Sequence, residues 1–155
     1  MACRRPPRID GFPYCGLHRY FLTLCTFDRH RIFTHASLVA CTHREVVRTC
    51  DNEGFALLAY CYMPDHLHLT LEGTRDNSDL RRCVKVFKQR VAYVLRTEFS
   101  VPRAWQEGYY DHVLRSDETT DLVIRYVLDN PVRAGLVARS EEYQFSGALY
   151  WPEAM

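Results

Sequence analysis

The chain has 155 residues, 47% hydrophobic and 25% charged, with a formal net charge of +1. This length suits one domain, and the composition supports a packed core and argues against disorder. The near-neutral balance excludes a polycation, so contact with nucleic acid has to come from local clustering of charge.

Residues 1–17 are rich in arginine, proline and glycine and read as an irregular basic arm ahead of a single domain over 18–155. Residues 19–26 (RYFLTLCT) alternate apolar with polar and predict a strand. Val39, Val46, Val47 and Cys50 recur at helical spacing and predict a helix over 37–51, with Gly54 as its stop. The apolar run 55–62 predicts a buried strand, and Met63, Pro64 and Asp65 a turn. In the next strand, 66–72, Leu67, Leu69 and Leu71 share one face, while His66, His68, Thr70 and Glu72 share the other.

Asn77 or Ser78 is placed to cap a long helix ending near Glu98, with an apolar stripe of Leu80, Val84, Phe87, Val91, Val94 and Leu95. Pro102 interrupts, and 109–114 predicts another short strand. Ser116 is placed to cap the last helix, with Asp117 and Glu118 in the first turn where the helix dipole favours acids. Pro131 is expected to end it near Asn130. The order β-α-β-β-α-β-α predicts an α+β fold: a ferredoxin-like split β-α-β antiparallel sheet with helices on one face and an extra C-terminal helix. The spare sheet face is then the one to which His66 and His68 point.

The seven cysteines, Cys3, Cys15, Cys25, Cys41, Cys50, Cys61 and Cys83, are odd in number and contain no C-x-x-C. They read as reduced, mostly buried thiols of a cytoplasmic protein. No stretch has the apolar length of a membrane span.

Residues i and i+2 of a strand share a face at roughly 6–7 Å, so two imidazoles there can converge on one divalent ion. An H-x-H by itself is weak, and two idle strand histidines are the plainer reading. The following helix carries Arg81, Arg82, Lys85, Lys88, Arg90 and Arg96 with no acid between Arg81 and Arg96. Arg81, Lys85 and Lys88 share a face. A solvated helix face usually mixes signs, so a phosphate-contacting surface is at least as good a reading. Tyr126 and Asn130 stand at i and i+4 of the last helix, where a phenol and an amide can reach one point; taken alone they read as a core tyrosine and a helix end.

Together these blocks resemble a known family. The order Met-Pro-Asp-His-Leu-His from Met63 to His68, a basic helix, Trp105 to Ser116, and Arg125-Tyr-Val-Leu-Asp-Asn-Pro-Val-Arg-Ala-Gly-Leu-Val is similar to the single-tyrosine HUH transposases, and most resembles their REP-associated tyrosine transposase branch. The resemblance runs from about Tyr20 to Trp151. It implies the ferredoxin-like sheet, action on single-stranded or hairpin DNA, and a divalent ion, Mg²⁺ or Mn²⁺. It implies that His66 and His68 are metal ligands, that Asn130 stands where relatives offer a third polar ligand, and that Tyr126 is the nucleophile forming a 5′-phosphotyrosine. Arg81, Arg82, Lys85 and Lys88 are the expected DNA contacts. Both monomers and homodimers fit the resemblance, and no membrane partner is expected.

Two other classes are compatible with parts of the pattern. One is a catalytically silent, domesticated hairpin-DNA-binding protein. The other is a metal-dependent hydrolase that uses water and has no need of Tyr126. Rolling-circle initiators and relaxases share the histidine pair but typically place a lysine where this chain has Asn130. Tyr60, Tyr62, Tyr109 and Tyr110 are alternative phenols, His112 and Trp105 alternative DNA contacts, and Asp65 and Glu72 the nearest acids.

Overall fold

The computed structural model describes residues 9–149, so residues 1–8 of the expected arm, with Cys3, and residues 150–155 lie outside the described residues. The elements are β1 (Arg19–Cys25), α1 (Ala36–Glu53), β2 (Phe55–Met63), β3 (His66–Gly73), α2 (Leu80–Phe99), β4 (Tyr110–Leu114), α3 (Asp117–Arg133) and β5 (Ser146–Ala148). The strands form one five-stranded sheet in the order β4-β1-β3-β2-β5, and each neighbouring pair is antiparallel. Its first four positions are the ferredoxin-like order expected from the chain.

The alternation of β1 and β3 decides which face receives α1 and α2. Tyr20, Leu22 and Leu24 of β1 and Leu67, Leu69 and Leu71 of β3 are fully buried. They form one core with Val39, Val46 and Cys50 of α1 and Leu80, Val84, Phe87, Val91 and Leu95 of α2. Burying each such leucine contributes roughly 1.5–3 kcal/mol. Gly54 ends α1 at φ 79°, in the left-handed region where a Cβ is disfavoured. Residues 9–17 are irregular, yet Tyr14 is only 1% exposed, and its carbonyl accepts from the Leu80 amide at 3.0 Å. That end of the segment therefore docks on the core.

α3 lies on the other sheet face. Ile124 and Leu128 pack on Leu58 and Ala59, and Val127 on Cys61 and Met63. Ser116 caps it as expected, its Oγ accepting from the Thr119 amide at 3.1 Å.

Three details differ from the sequence expectation. α3 does not stop at Asn130 but runs through Pro131 to Arg133. Proline is tolerated there because it sits in the last turn, where little helix remains to be broken, and the freed ends find partners. The Asn130 carbonyl accepts from the Ala134 amide, and the Pro131 carbonyl from the Leu136 amide. The cap of α2 is Asp79 instead of Asn77 or Ser78. Ser78 is spent elsewhere, donating from a buried hydroxyl to the Gly54 carbonyl at 2.6 Å. Finally, β5 extends the sheet beyond β2; three residues with a central glycine carry no periodic signal. Among the described residues, no helix is long and apolar enough to cross a membrane.

Candidate active site

The sheet register builds the site. His68 pairs with Thr23 on one side and Cys61 on the other, while Cys25 and Met63 flank His66. Because Leu67, Leu69 and Leu71 face α1 and α2, His66 and His68 face the α3 side. The expectation of an open histidine face is corrected here: His68 is only 6% exposed, because Phe21 stacks on it at 5.3 Å and α3 crosses nearby. The two imidazole centroids are 4.7 Å apart, with ring planes at 80°.

Each ring is held by its Nδ1. His66 Nδ1 lies 2.7 Å from Asp65 Oδ1, and Asp65 Oδ2 accepts from Arg29 Nε at 3.0 Å. Arg29 is delivered by a turn in which Asp28 and Arg29 both adopt left-handed φ, 51° and 55°, an unusual backbone for non-glycine residues. His68 Nδ1 lies 3.0 Å from Thr23 Oγ1. With both Nδ1 atoms engaged, the nitrogens left to meet a ligand are the two Nε2 atoms.

The electrostatics agree. Burial holds His66 below the ordinary imidazole range, against an opposing pull from Asp65. Burial first, then the charges of His66 and Arg133, hold His68 down to about 3. Burial would raise the Asp65 carboxyl, but hydrogen bonds with His66 and Arg29 outweigh it and hold it below its usual value. Neutral imidazoles oriented by second partners are the form in which histidine binds metal.

Tyr126 of α3 is 51% exposed, and its ring meets Phe21 and His68 at centroid distances of 6.2 and 6.5 Å. Asn130, one turn on, is half-buried. The fold thus brings Tyr126 to the histidine pair and sets Asn130 on the same helical face. No cluster of three or more His, Cys, Asp or Glu suited to a metal occurs among the described residues. A closed structural zinc site is therefore not built there. Two imidazole nitrogens, with an amide one helical turn after Tyr126, are a donor set that fits an open site with positions for water and phosphate oxygens.

The basic helix sits elsewhere. α2 packs on the sheet face away from the histidines, so Arg81, Arg82, Lys85 and Lys88 do not share a surface with them. Arg81, Lys85 and Lys88 line one groove with Gln89 and Tyr109. Lys88 Nζ donates to the Gln106 and Gly108 carbonyls at 3.1 and 2.9 Å, and Arg82 Nε pairs with Glu53 at 2.9 Å.

The alternative phenols divide by face. Tyr60 and Tyr62 pack with His43 on the α1 side, and Tyr109 packs on the main core. Tyr110 is the one that shares the histidine face, meeting Phe21 at 6.2 Å. Trp105 is a core residue at 7% exposure, His112 is exposed on β4, and Glu72 pairs with Arg19 at 3.3 Å at the far end of β3. Sequence reasoning missed Phe21, Thr23, Arg29 and Arg133. Phe21 and Thr23 occupy alternate positions of β1, a signal that becomes usable only once the register with β3 is known.

The fold and a match to a transposase profile place the chain in a class of DNA-processing enzymes, the transposases. The sequence profile described as "Transposase IS200 like" matches residues 15–130, and the chain belongs to that family. A Haemophilus influenzae protein described as a REP-associated tyrosine transposase is 23% identical over 145 residues, covering 82% of this chain and 77% of the relative. The solved structure of a REP-associated tyrosine transposase bound to a REP hairpin superposes with a TM-score of 0.76 at 17% identity, covering 91% of this chain and 82% of that one. A transposase structure from Deinococcus radiodurans gives 0.51 at 23% identity, covering 81% and 97%. These structural likenesses show the fold.

Proposed function

We propose that this transposase cleaves and rejoins single-stranded, hairpin-bearing DNA through a 5′-phosphotyrosine on Tyr126. The observation that carries the reading is the meeting of Tyr126 with His68, 6.5 Å between ring centroids, beside a second imidazole with its Nδ1 pinned. A relative of the same fold is described as binding a REP hairpin, which supports a hairpin as the substrate class.

His66 and His68, with the Asn130 amide, would hold Mg²⁺ or Mn²⁺. Such an ion neutralises and orients the scissile phosphate when bound. The Tyr126 phenol oxygen attacks phosphorus and the bond from phosphorus to the 3′-oxygen breaks. The phenol proton is lost and the departing 3′-oxygen gains one. In the reverse sense, a 3′-hydroxyl attacks the phosphotyrosine and releases the phenol. One phosphoester replaces another throughout, so no nucleotide cofactor is consumed. A tyrosine phenol ordinarily ionises near pH ~10, so the reaction depends on charge at the phosphate and on exact placement of the ring.

The test is incubation with single-stranded oligonucleotides that carry palindromes from DNA flanking the gene, with Mn²⁺, read on a denaturing gel. Wild type is expected to yield a covalent protein–DNA adduct, and Tyr126→Phe none. An undiminished adduct in the variant moves the nucleophile elsewhere. Cleavage without an adduct favours water as nucleophile, and tight binding without cleavage favours a silent binding protein.

A further inference from the structure

We propose that Arg133 is the positioning residue for Tyr126: its guanidinium, laid over the phenol ring and tied to the Tyr126 carbonyl, fixes the ring beside His68 and adds a permanent cation to the phosphate side of the site. This rests on the reading of Tyr126 as the nucleophile.

A half-exposed tyrosine on a helix has more than one staggered rotamer open to it. Attack on phosphorus requires one of them, with the reacting atoms held at roughly 3–3.5 Å. Phe21 and His68 meet the Tyr126 ring at steep angles, 88° and 66°, so neither stacks flat on it. Arg133 lies over the ring, its guanidinium carbon 3.9 Å from the centroid. Its Nη2 donates to the Tyr126 carbonyl at 2.6 Å. The two contacts use two properties of arginine together, a flat cation for the ring and a directed N–H for the carbonyl.

Pro131 lies inside α3 and has no N–H to donate to the Val127 carbonyl four residues back. The helix nevertheless continues to Arg133, which brings the guanidinium back over the preceding turns. Had α3 stopped at Asn130, Arg133 would not have been placed there.

The charge lies at the site by geometry. The guanidinium rests 3.9 Å from the centre of the Tyr126 ring, and that ring stands 6.5 Å from His68, so a permanent cation sits where a phosphodiester would meet Tyr126.

The experiment compares wild type, Arg133→Gln, Arg133→Lys and Tyr126→Phe. Single-turnover adduct formation is measured with the flanking-palindrome oligonucleotides and Mn²⁺. Separately, DNA-free protein labelled with 3-fluorotyrosine is observed by ¹⁹F NMR, with Tyr126→Phe assigning the Tyr126 signal. In Arg133→Gln the rate at saturating DNA is expected to fall about 10–100-fold with half-saturation changed less than about 3-fold. The Tyr126 fluorine signal is expected to move while the others stay, and Arg133→Lys to recover the rate only in part. An unmoved signal with an unchanged rate overturns the proposal. So does a rise in half-saturation alone, which would make Arg133 a simple phosphate contact. If wild type forms no adduct, the nucleophile reading fails by itself, and the fluorine signal still decides whether Arg133 positions the ring.

Discussion

Asp65 Oδ1 stands 2.7 Å from His66 Nδ1, and the same carboxylate accepts from Arg29 at 3.0 Å. The acid is thereby tied up in orienting His66, the proposed metal ligand, instead of being one itself. It fixes the His66 tautomer so that Nε2 carries the lone pair. Asp65→Asn preserves the shape and removes the charge. Its affinity for Mn²⁺, measured by calorimetric titration, is expected to fall about 10–100-fold with the fold intact by circular dichroism. Unchanged affinity would mean that His66 does not depend on Asp65 for its orientation.

Tyr110 is the competitor for the role of Tyr126, since both lie near Phe21 on the histidine face. Tyr110 is on β4, paired with Thr23, and is one strand further from His68. Tyr126→Phe is expected to lower adduct formation by about 10³-fold or more, and Tyr110→Phe by less than about 3-fold. Mass spectrometry of the digested adduct identifies the modified peptide, and a phosphotyrosine at position 110 would reverse the assignment.

The backbone makes a demand at Gly73 that side chains do not reveal. A Cβ there would stand 2.0 Å from the Gly16 carbonyl oxygen, a clash with backbone that cannot rotate away. Gly73→Ala is therefore expected to destabilise the chain by about 2–4 kcal/mol, read as a lowered urea midpoint with an unchanged slope. A shift under about 0.5 kcal/mol would show that the 9–17 segment moves aside freely.

How far the sequence reads as structure follows from which signals are local. Alternation in β1 and β3 separated the histidine face from the leucine face, and Gly54 marked the end of α1, because both are written within a few residues. The path of α3 past Pro131 was not legible, since it depends on partners at Ala134 and Leu136 that only the folded last turn supplies. The side taken by the basic helix was legible in principle. The α2 stripe has to pack on Leu67, Leu69 and Leu71, which sends its arginines and lysines away from the histidines. Thr23 and Phe21 could not be found locally, because their meeting with His68 is a matter of register between strands distant in the chain.

His43 links burial to acid sensitivity. Its ring lies 4.2 Å from Tyr60, its Nδ1 is 3.1 Å from the Tyr62 hydroxyl, and burial holds it below the ordinary imidazole value. The unfolded chain takes up a proton near pH ~6.5, before the folded chain does. Below that pH the unfolded state binds more protons, so stability falls as pH falls. His43→Phe keeps a ring against Tyr60 and removes the proton site. Its unfolding free energy is expected to vary less steeply between pH 5 and 6.5, by at most about 1.4 kcal/mol per pH unit. Parallel slopes for the two proteins would show that His43 does not carry this acid sensitivity.

The placement of α2 makes its expected DNA contacts separable by experiment from the proposed chemistry at Tyr126. Arg81 and Lys85 line a groove of about 360 Å³ on the sheet face opposite the histidines. Lys88 holds the 106–108 loop against the same groove through the Gln106 and Gly108 carbonyls. If the groove tracks phosphates, the DNA that reaches the active site also bends around the sheet edge at β4. Arg81→Gln and Lys85→Gln should then weaken binding to hairpin oligonucleotides of any sequence, and each should reduce the slope of log affinity against log salt by about 1. The single-turnover rate at saturating DNA should stay within about 2-fold of wild type, because neither side chain reaches Tyr126. Fluorescence anisotropy across a salt series measures the first and quenched-flow the second. A salt slope that survives both substitutions would remove the groove from the DNA path and move the phosphate contacts to the α3 side of the sheet.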